Sequence, residues 1–267
     1  MAVRLAVFGA GGKMGHAIVR AAVDHAGATL AAAIERPDYP YLAADATQLA
    51  GKRASGVPIT DRRPDRGVAD VWIDFSAPAG TVANVGAAAE AGAAMVIGTT
   101  GLSATDKEKI AAAAKIIPIV QAPNMSVGVN VMLKLVADAA RALGPGYDIE
   151  IVETHHRAKR DAPSGTALRL GEAAAEGAGR DFAATARYER HGDIGPRSAT
   201  EIGMQTLRGG DVVGDHTVFF LGQGDRIEIT HRASSRETFA HGAVRAALWL
   251  AGKGPGLFDM RDVLGLK

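Results

Sequence analysis

Short apolar runs alternate with helical stretches from the amino terminus to Gln121, and this alternation constrains the fold more than any other feature of the chain. The runs are Val3–Phe8, Thr29–Ile34, Val71–Phe75, Ala94–Ile97 and Ile116–Gln121. Helical patterns follow the first run as far as Asp24 and recur over Gly80–Ala91 and Ser103–Lys115. A strand that is apolar on both faces must be covered on both faces, which is the condition of a parallel sheet with helical crossovers. Right-handed crossovers then place helices on the two sides of the sheet. The expected class is α/β, a Rossmann-like doubly wound parallel sheet.

The pattern changes after Asn124. A long helix is expected over Val127–Leu143 and a strand over Asp148–Thr154. Three further strand candidates, Met204–Leu207, Val212–Leu221 and Arg226–Arg232, are separated by glycine-rich turns. They predict a second, α+β domain built on a mostly antiparallel open sheet, whose uncovered face favours self-association. A helix over Glu237–Ala251 would return to the first domain. The expected division is residues 1–126 plus 237–267 for dinucleotide binding, and 127–236 for substrate binding and oligomerisation.

Lys and Arg number 30 against 29 Asp and Glu. So even a balance leaves no electrostatic footprint for nucleic acid or a membrane surface, and any anion must be held by local groups. The absence of cysteine removes disulfides, thiolate metal sites and a cysteine nucleophile. No stretch has the pattern of a secretory leader or the length of a membrane span, so a cytoplasmic location is expected.

Gly9-Ala10-Gly11-Gly12-Lys13-Met14-Gly15 joins the first strand to the first helix. Glycines at such a junction let the backbone turn tightly and approach a pyrophosphate, which then meets helix N–H groups. The triplet alone also describes a plain tight turn. Its place at the first strand–helix junction, with Glu35 at the end of the second strand, points to a nicotinamide dinucleotide whose ribose hydroxyls meet the carboxylate. Arg36 offers a partner for a 2′-phosphate, so both NADH and NADPH are expected. Gly98-Thr99-Thr100-Gly101 and Ala122-Pro123-Asn124-Met125 follow the fourth and fifth strands, at the carboxyl edge where ligands sit in such sheets. The first also fits a helix cap, and the second a domain hinge.

Residues 153–167, Glu-Thr-His-His-Arg-Ala-Lys-Arg-Asp-Ala-Pro-Ser-Gly-Thr-Ala, concentrate chemistry. His155 and His156 end a strand, Lys159 follows, and Ser164-Gly165-Thr166 reads as a helix start. Histidine exchanges protons near neutrality, and a helix start with hydroxyls and a nearby lysine holds a carboxylate. The spacing gives no metal site. His231 to Arg236 fits a strand-to-helix joint with Ser234 or Ser235 as N-cap, and Arg236 doubles as a candidate anion contact. Gly214-Asp215-His216-Thr217 reads as a local kink or a subunit contact rather than a catalytic element.

These segments, with Ile97-Gly-Thr-Thr-Gly101, Asn124-Met-Ser-Val-Gly-Val-Asn130, Ile229-Thr-His-Arg-Ala-Ser-Ser-Arg236 and the closing Gly256–Leu264, together resemble the dihydrodipicolinate reductases, the 4-hydroxy-tetrahydrodipicolinate reductases of bacterial lysine and diaminopimelate synthesis. The resemblance covers essentially the whole chain. It implies a homotetramer that reduces a small dicarboxylate ring with NADH or NADPH, using no metal. His155 falls on the family's acid/base position and Lys159 on its proton donor. His156, Gly165 and Thr166, with Ser164 adjacent, fall where the ring is held. Gly9 to Met14, Glu35, Arg36, Gly98 to Thr100 and Ala122 to Met125 fall on cofactor positions. Lys13 stands where many members carry Arg, which keeps the charge. An aspartate-type dehydrogenase of this fold would not need the helix start beside His-His, and a dinucleotide-sensing protein would carry a partner-binding module.

Overall fold

The computed structural model describes residues Met1–Lys267. The first part of the chain forms β1 (Val3–Phe8), α1 (Lys13–Asp24), β2 (Ala28–Ile34), α2 (Ala46–Leu49), β3 (Ile59–Thr60), β4 (Val71–Asp74) and α3 (Pro78–Ala91). There follow β5 (Ala94–Ile97), α4 (Ala104–Ala113), β6 (Pro118–Gln121), α5 (Val127–Leu143), β7 (Asp148–His155), α6 (Gly165–Ala178), α7 (Phe182–Thr185) and β8 (Ala186–Arg187). The remainder is β9 (Ile202–Arg208), β10 (Gly214–Leu221), β11 (Arg226–Ala233), α8 (Glu237–Leu250), β12 (Gly256–Phe258) and α9 (Met260–Leu264). These elements make two compact units, Met1–Val127 with Arg236–Lys267, and Gly128–Ser235.

The first unit is built on a seven-stranded sheet in the order β12-β6-β5-β4-β1-β2-β3, and every pairing is parallel. β4 and β5 are buried along their whole length, the consequence of apolar side chains on both faces. Alternate residues feed two cores. Leu5, Val7, Val71, Ile73 and Val96 join one, together with α1 and α8 residues such as Ile18 and Val244. Ala6, Phe8, Trp72, Met95 and Ile97 join the other, together with Val85 and Ile110 of α3 and α4. The strand order turns back between β1 and β4, which places a crevice at the carboxyl ends of these strands. Two elements escaped the sequence reading, because α2 has four residues and β3 only two. The carboxyl-terminal tail is also more ordered than expected, since β12 adds an edge strand beside β6.

The sheet of the second unit has the order β11-β10-β7-β9-β8. β10 pairs antiparallel with β11 and with β7, whereas β9 lies parallel to β7 and β8. The expected antiparallel pairing therefore describes one half of a mixed sheet. The other half is parallel because the connection from β7 to β9 contains α6, a crossover rather than a hairpin. Along β7 the odd-numbered residues Ile149, Ile151, Glu153 and His155 are buried and the even-numbered ones are half-buried. Ile149 and Ile151 pack in one core with Met132 and Val136 of α5 and Leu170 and Ala174 of α6. The same row that begins as core thus ends in a carboxylate and an imidazole. No helix is long and apolar enough to cross a membrane.

Candidate active site

In the first unit, β1 ends at Gly9, whose φ of 76° is open to glycine. A Cβ at Gly15 would collide with the Gly9 carbonyl oxygen, so the first turn of α1 rests directly on the loop backbone. α1 starts from Gly12 without a side-chain cap and without an acidic residue in its first turn. Its leading N–H groups are thereby left for an anion. Glu35 accepts hydrogen bonds from the Gly11 N–H at 2.9 Å and the Arg36 N–H at 3.0 Å. Its carboxylate therefore braces the glycine loop from the end of β2. Gly9, Gly12, Glu35 and Arg36 line a cleft of about 570 Å³ together with Arg63. Arg36 is exposed and pairs with Asp38 at 3.1 Å; Lys13 is also exposed. Met14, Gly98 to Thr100 and Pro123 to Met125 line a second cleft, of about 300 Å³. Ala10 and Ala122 are buried. An open helix start with free N–H donors, a loop that only glycine can build and an accepting carboxylate at the next strand end together fit a dinucleotide.

Asp74 organises this edge and was missed from the sequence. It is fully buried at the end of β4. It accepts from the Ser76 N–H and hydroxyl, from the Thr81 and Thr99 hydroxyls and from the Asn84 amide, at 2.7 to 3.1 Å. Asn84 in turn accepts from Arg63 at 2.8 Å. A single carboxylate inside an otherwise apolar strand was the available signal.

In the second unit, Glu153 is the centre of a buried network. Its Oε2 lies 2.5 Å from His155 Nδ1. Both Arg208 terminal nitrogens donate to it at 2.9 Å. The Ser164 N–H donates to Oε1 at 3.0 Å and the Thr206 hydroxyl at 3.2 Å. Burial alone would raise the Glu153 pKa, but Arg208, His155 and the Ser164 N–H outweigh it and hold the carboxyl below its ordinary range. An ionised Glu153 can only accept, so His155 carries its proton on Nδ1 and leaves Nε2 for chemistry. Burial depresses the His155 pKa, Glu153 pulls the other way, and Lys159 and Arg208 add to the depression.

Ser164 is the N-cap of α6, its hydroxyl accepting from the Ala167 N–H at 3.1 Å. The same hydroxyl lies 3.0 Å from His216 Nε2. The His216 ring stands edge-on to that of His155, with centroids 5.2 Å apart. Residues 214–217, expected to be a kink or a subunit contact, form the start of a regular strand that sets the His216 ring beside that of His155. Lys159 donates to both Asp161 oxygens at 2.8 Å, and this contact holds the Asp161 carboxyl below its ordinary range. Gly165 is exposed, while His156 and Thr166 are half-buried. The structure thus gathers His155, Ser164, Glu153, Arg208 and His216 into one cluster, of which the last three had no assigned role.

The expected strand-to-helix joint lies between β11 and α8: α8 begins after Arg236, whose side chain makes no cap bond, and Glu237 supplies the negative charge of its first turn. Glu237 is held by Arg20.

Residues 3–125 match the family model described as dihydrodipicolinate reductase, N-terminus, and residues 128–264 the one described as dihydrodipicolinate reductase, C-terminus. The 4-hydroxy-tetrahydrodipicolinate reductase of Anaeromyxobacter dehalogenans is 55% identical over 265 residues, covering 99% of this chain and 98% of the relative. That of Aromatoleum aromaticum is 55% identical over 266 residues, covering 99% and 96%. A dipicolinate-bound dihydrodipicolinate reductase from Paenisporosarcina sp. TG-14 shares the fold with a TM-score of 0.77 at 24% identity, covering 97% of this chain and 98% of that one. The chain belongs to the dihydrodipicolinate reductase family.

Proposed function

We propose that the protein reduces 4-hydroxy-tetrahydrodipicolinate to tetrahydrodipicolinate in lysine and diaminopimelate synthesis, with NADH or NADPH as the reductant. The observation that carries this reading is the Glu153–His155 pair beside the helix start at Ser164, an oriented imidazole next to donors for a carboxylate. A bound nicotinamide supplies a hydride to ring C4, and the reaction takes up one proton and releases one water.

The chain's own groups do the rest. Glu153 fixes the His155 tautomer, and burial keeps the imidazole neutral near neutral pH, so that Nε2 can take or return a proton. Lys159, held by Asp161, is the cationic proton donor. His156, Ser164, Gly165 and Thr166 hold the ring carboxylates through side chains and helix-start amides. Gly9 to Met14, Glu35, Arg36, Gly98 to Thr100 and Ala122 to Met125 hold the cofactor on the first unit. Acceptance of both cofactors is supported by Glu35 for ribose hydroxyls and by the exposed Arg36 for a 2′-phosphate. A homotetramer assembled through the second unit is part of the proposal, supported by exposed Leu207 and Ile227 on its strands, and light scattering checks it. The proposed location is the cytoplasm.

The test is oxidation of NADH and of NADPH by the purified protein when the cyclic product of the preceding aldolase is freshly supplied. Oxidation with at least one cofactor supports the reading. No oxidation with either contradicts it.

A further inference from the structure

Gly214 opens β10 and is buried. Its φ lies outside the left-handed region, so its backbone conformation does not call for glycine. The reason lies in what a side chain would meet. A Cβ at this position would stand 3.0 Å from His155 Nε2 and 3.4 Å from its Cδ2. The next nearest atom, His216 Cε1, is 3.7 Å away, an ordinary contact. The imidazole is thus the group that a methyl would crowd.

The ring cannot easily retreat. Its Nδ1 is held by Glu153 at 2.5 Å, and Arg208 and Ser164 fix Glu153 in turn. The edge of the His216 ring stands against it, and His216 is tied to Ser164 Oγ at 3.0 Å. The His155 side chain keeps 11% of its surface exposed. A Cβ at 214 would crowd the Nε2 edge of the ring, the edge opposite the Glu153 contact.

We infer that Gly214 is a positioning residue for the reaction, absent a side chain so that the His155 ring lies close against β10 with its Nε2 edge open. This inference rests on the proposed role of His155. It assigns a function to a glycine that neither a turn nor a positive φ explains.

The test is Gly214→Ala in the full-length protein. Turnover is expected to fall about tenfold or more, because displacing a reacting group by a fraction of an ångström is costly. The KM for the nicotinamide cofactor, which is bound by the other unit, is expected to stay within about twofold. The protein is expected to fold, because a contact a few tenths of an ångström too short is relieved by a small shift of the ring. In a His155→Gln background the same substitution is expected to change turnover no further, as for two residues acting through one group. Undiminished turnover, an equal loss in the His155→Gln background, or failure to fold would each overturn the inference. A wild-type protein that oxidises neither cofactor would instead remove the reductase reading. Gly214 would then be decided by NMR titration of His155, whose midpoint is expected to move in Gly214→Ala; an unmoved midpoint counts against the inference.

Discussion

Glu153 and His155 lie two residues apart on β7 and point to the same side, so that Oε2 of the first reaches Nδ1 of the second at 2.5 Å. The pleat of a strand makes this pairing automatic once both residues sit on the covered face. The contact fixes the tautomer, and Arg208 ensures that the carboxylate stays ionised. Glu153→Gln removes the charge that supports a protonated His155. The acid limb of the pH–rate profile is therefore expected to move to lower pH, with turnover falling about 10²-fold. An unchanged limb would show that Glu153 does not set the state of His155.

His155→Gln and Lys159→Ala are expected to lower turnover by about 10² to 10⁴, the range of a lost acid or base. Cofactor binding, measured by nicotinamide fluorescence, is expected to survive in both, because the proposed cofactor residues lie on the other unit. Near-normal turnover in either variant would remove that residue from the mechanism.

The Arg208–Glu153 pair is buried on the carboxylate side, with Glu153 at 0% and Arg208 at 20% side-chain exposure. Removing one partner leaves the other charge without compensation, at a cost of about 3 to 5 kcal/mol. Arg208→Met is expected to lower stability on this scale in chemical denaturation. The double variant Glu153→Gln/Arg208→Met is expected to recover part of the loss, and a double variant as unstable as the single would contradict the account.

His216 gives a stability signature. Burial above all, with smaller pushes from His155, His231 and Lys159 against a pull from Glu153, lowers its pKa to about 4. In the unfolded chain it titrates near about 6.5. Between these values the unfolded state binds more protons, so its contribution is present above about pH 6.5 and is lost as pH falls toward 4. At about 1.4 kcal/mol per pH unit the full loss is about 3 kcal/mol. Acid destabilisation between pH 7 and 4 is expected to be smaller by this order in His216→Leu, and equal pH dependence of the two proteins would refute it.

The sequence reading located the first unit well because each strand is a short continuous apolar run, and strands such as β4 and β5 are buried on both faces. It also singled out His155, Lys159 and the helix start at Ser164, which are close together along the chain. It did not reach Arg208 or His216. Those side chains arrive through register: β9 sets Thr206 beside Glu153 and Arg208 beside His155, and β10 sets His216 beside Glu153. Register between strands more than fifty residues apart is fixed by the shared core, and no local pattern announces it. Asp74 was hidden for a related reason, since its partners Thr81 and Asn84 lie on α3 and Thr99 in the loop after β5.

The central claim is that hydride passes from the nicotinamide to C4 of a dicarboxylate ring. The most direct measurement supplies cofactor deuterated at the transferred position and examines the product by mass spectrometry and NMR. The account predicts one deuterium, located at C4 of tetrahydrodipicolinate. A product without deuterium, or with deuterium at another ring carbon, would contradict it.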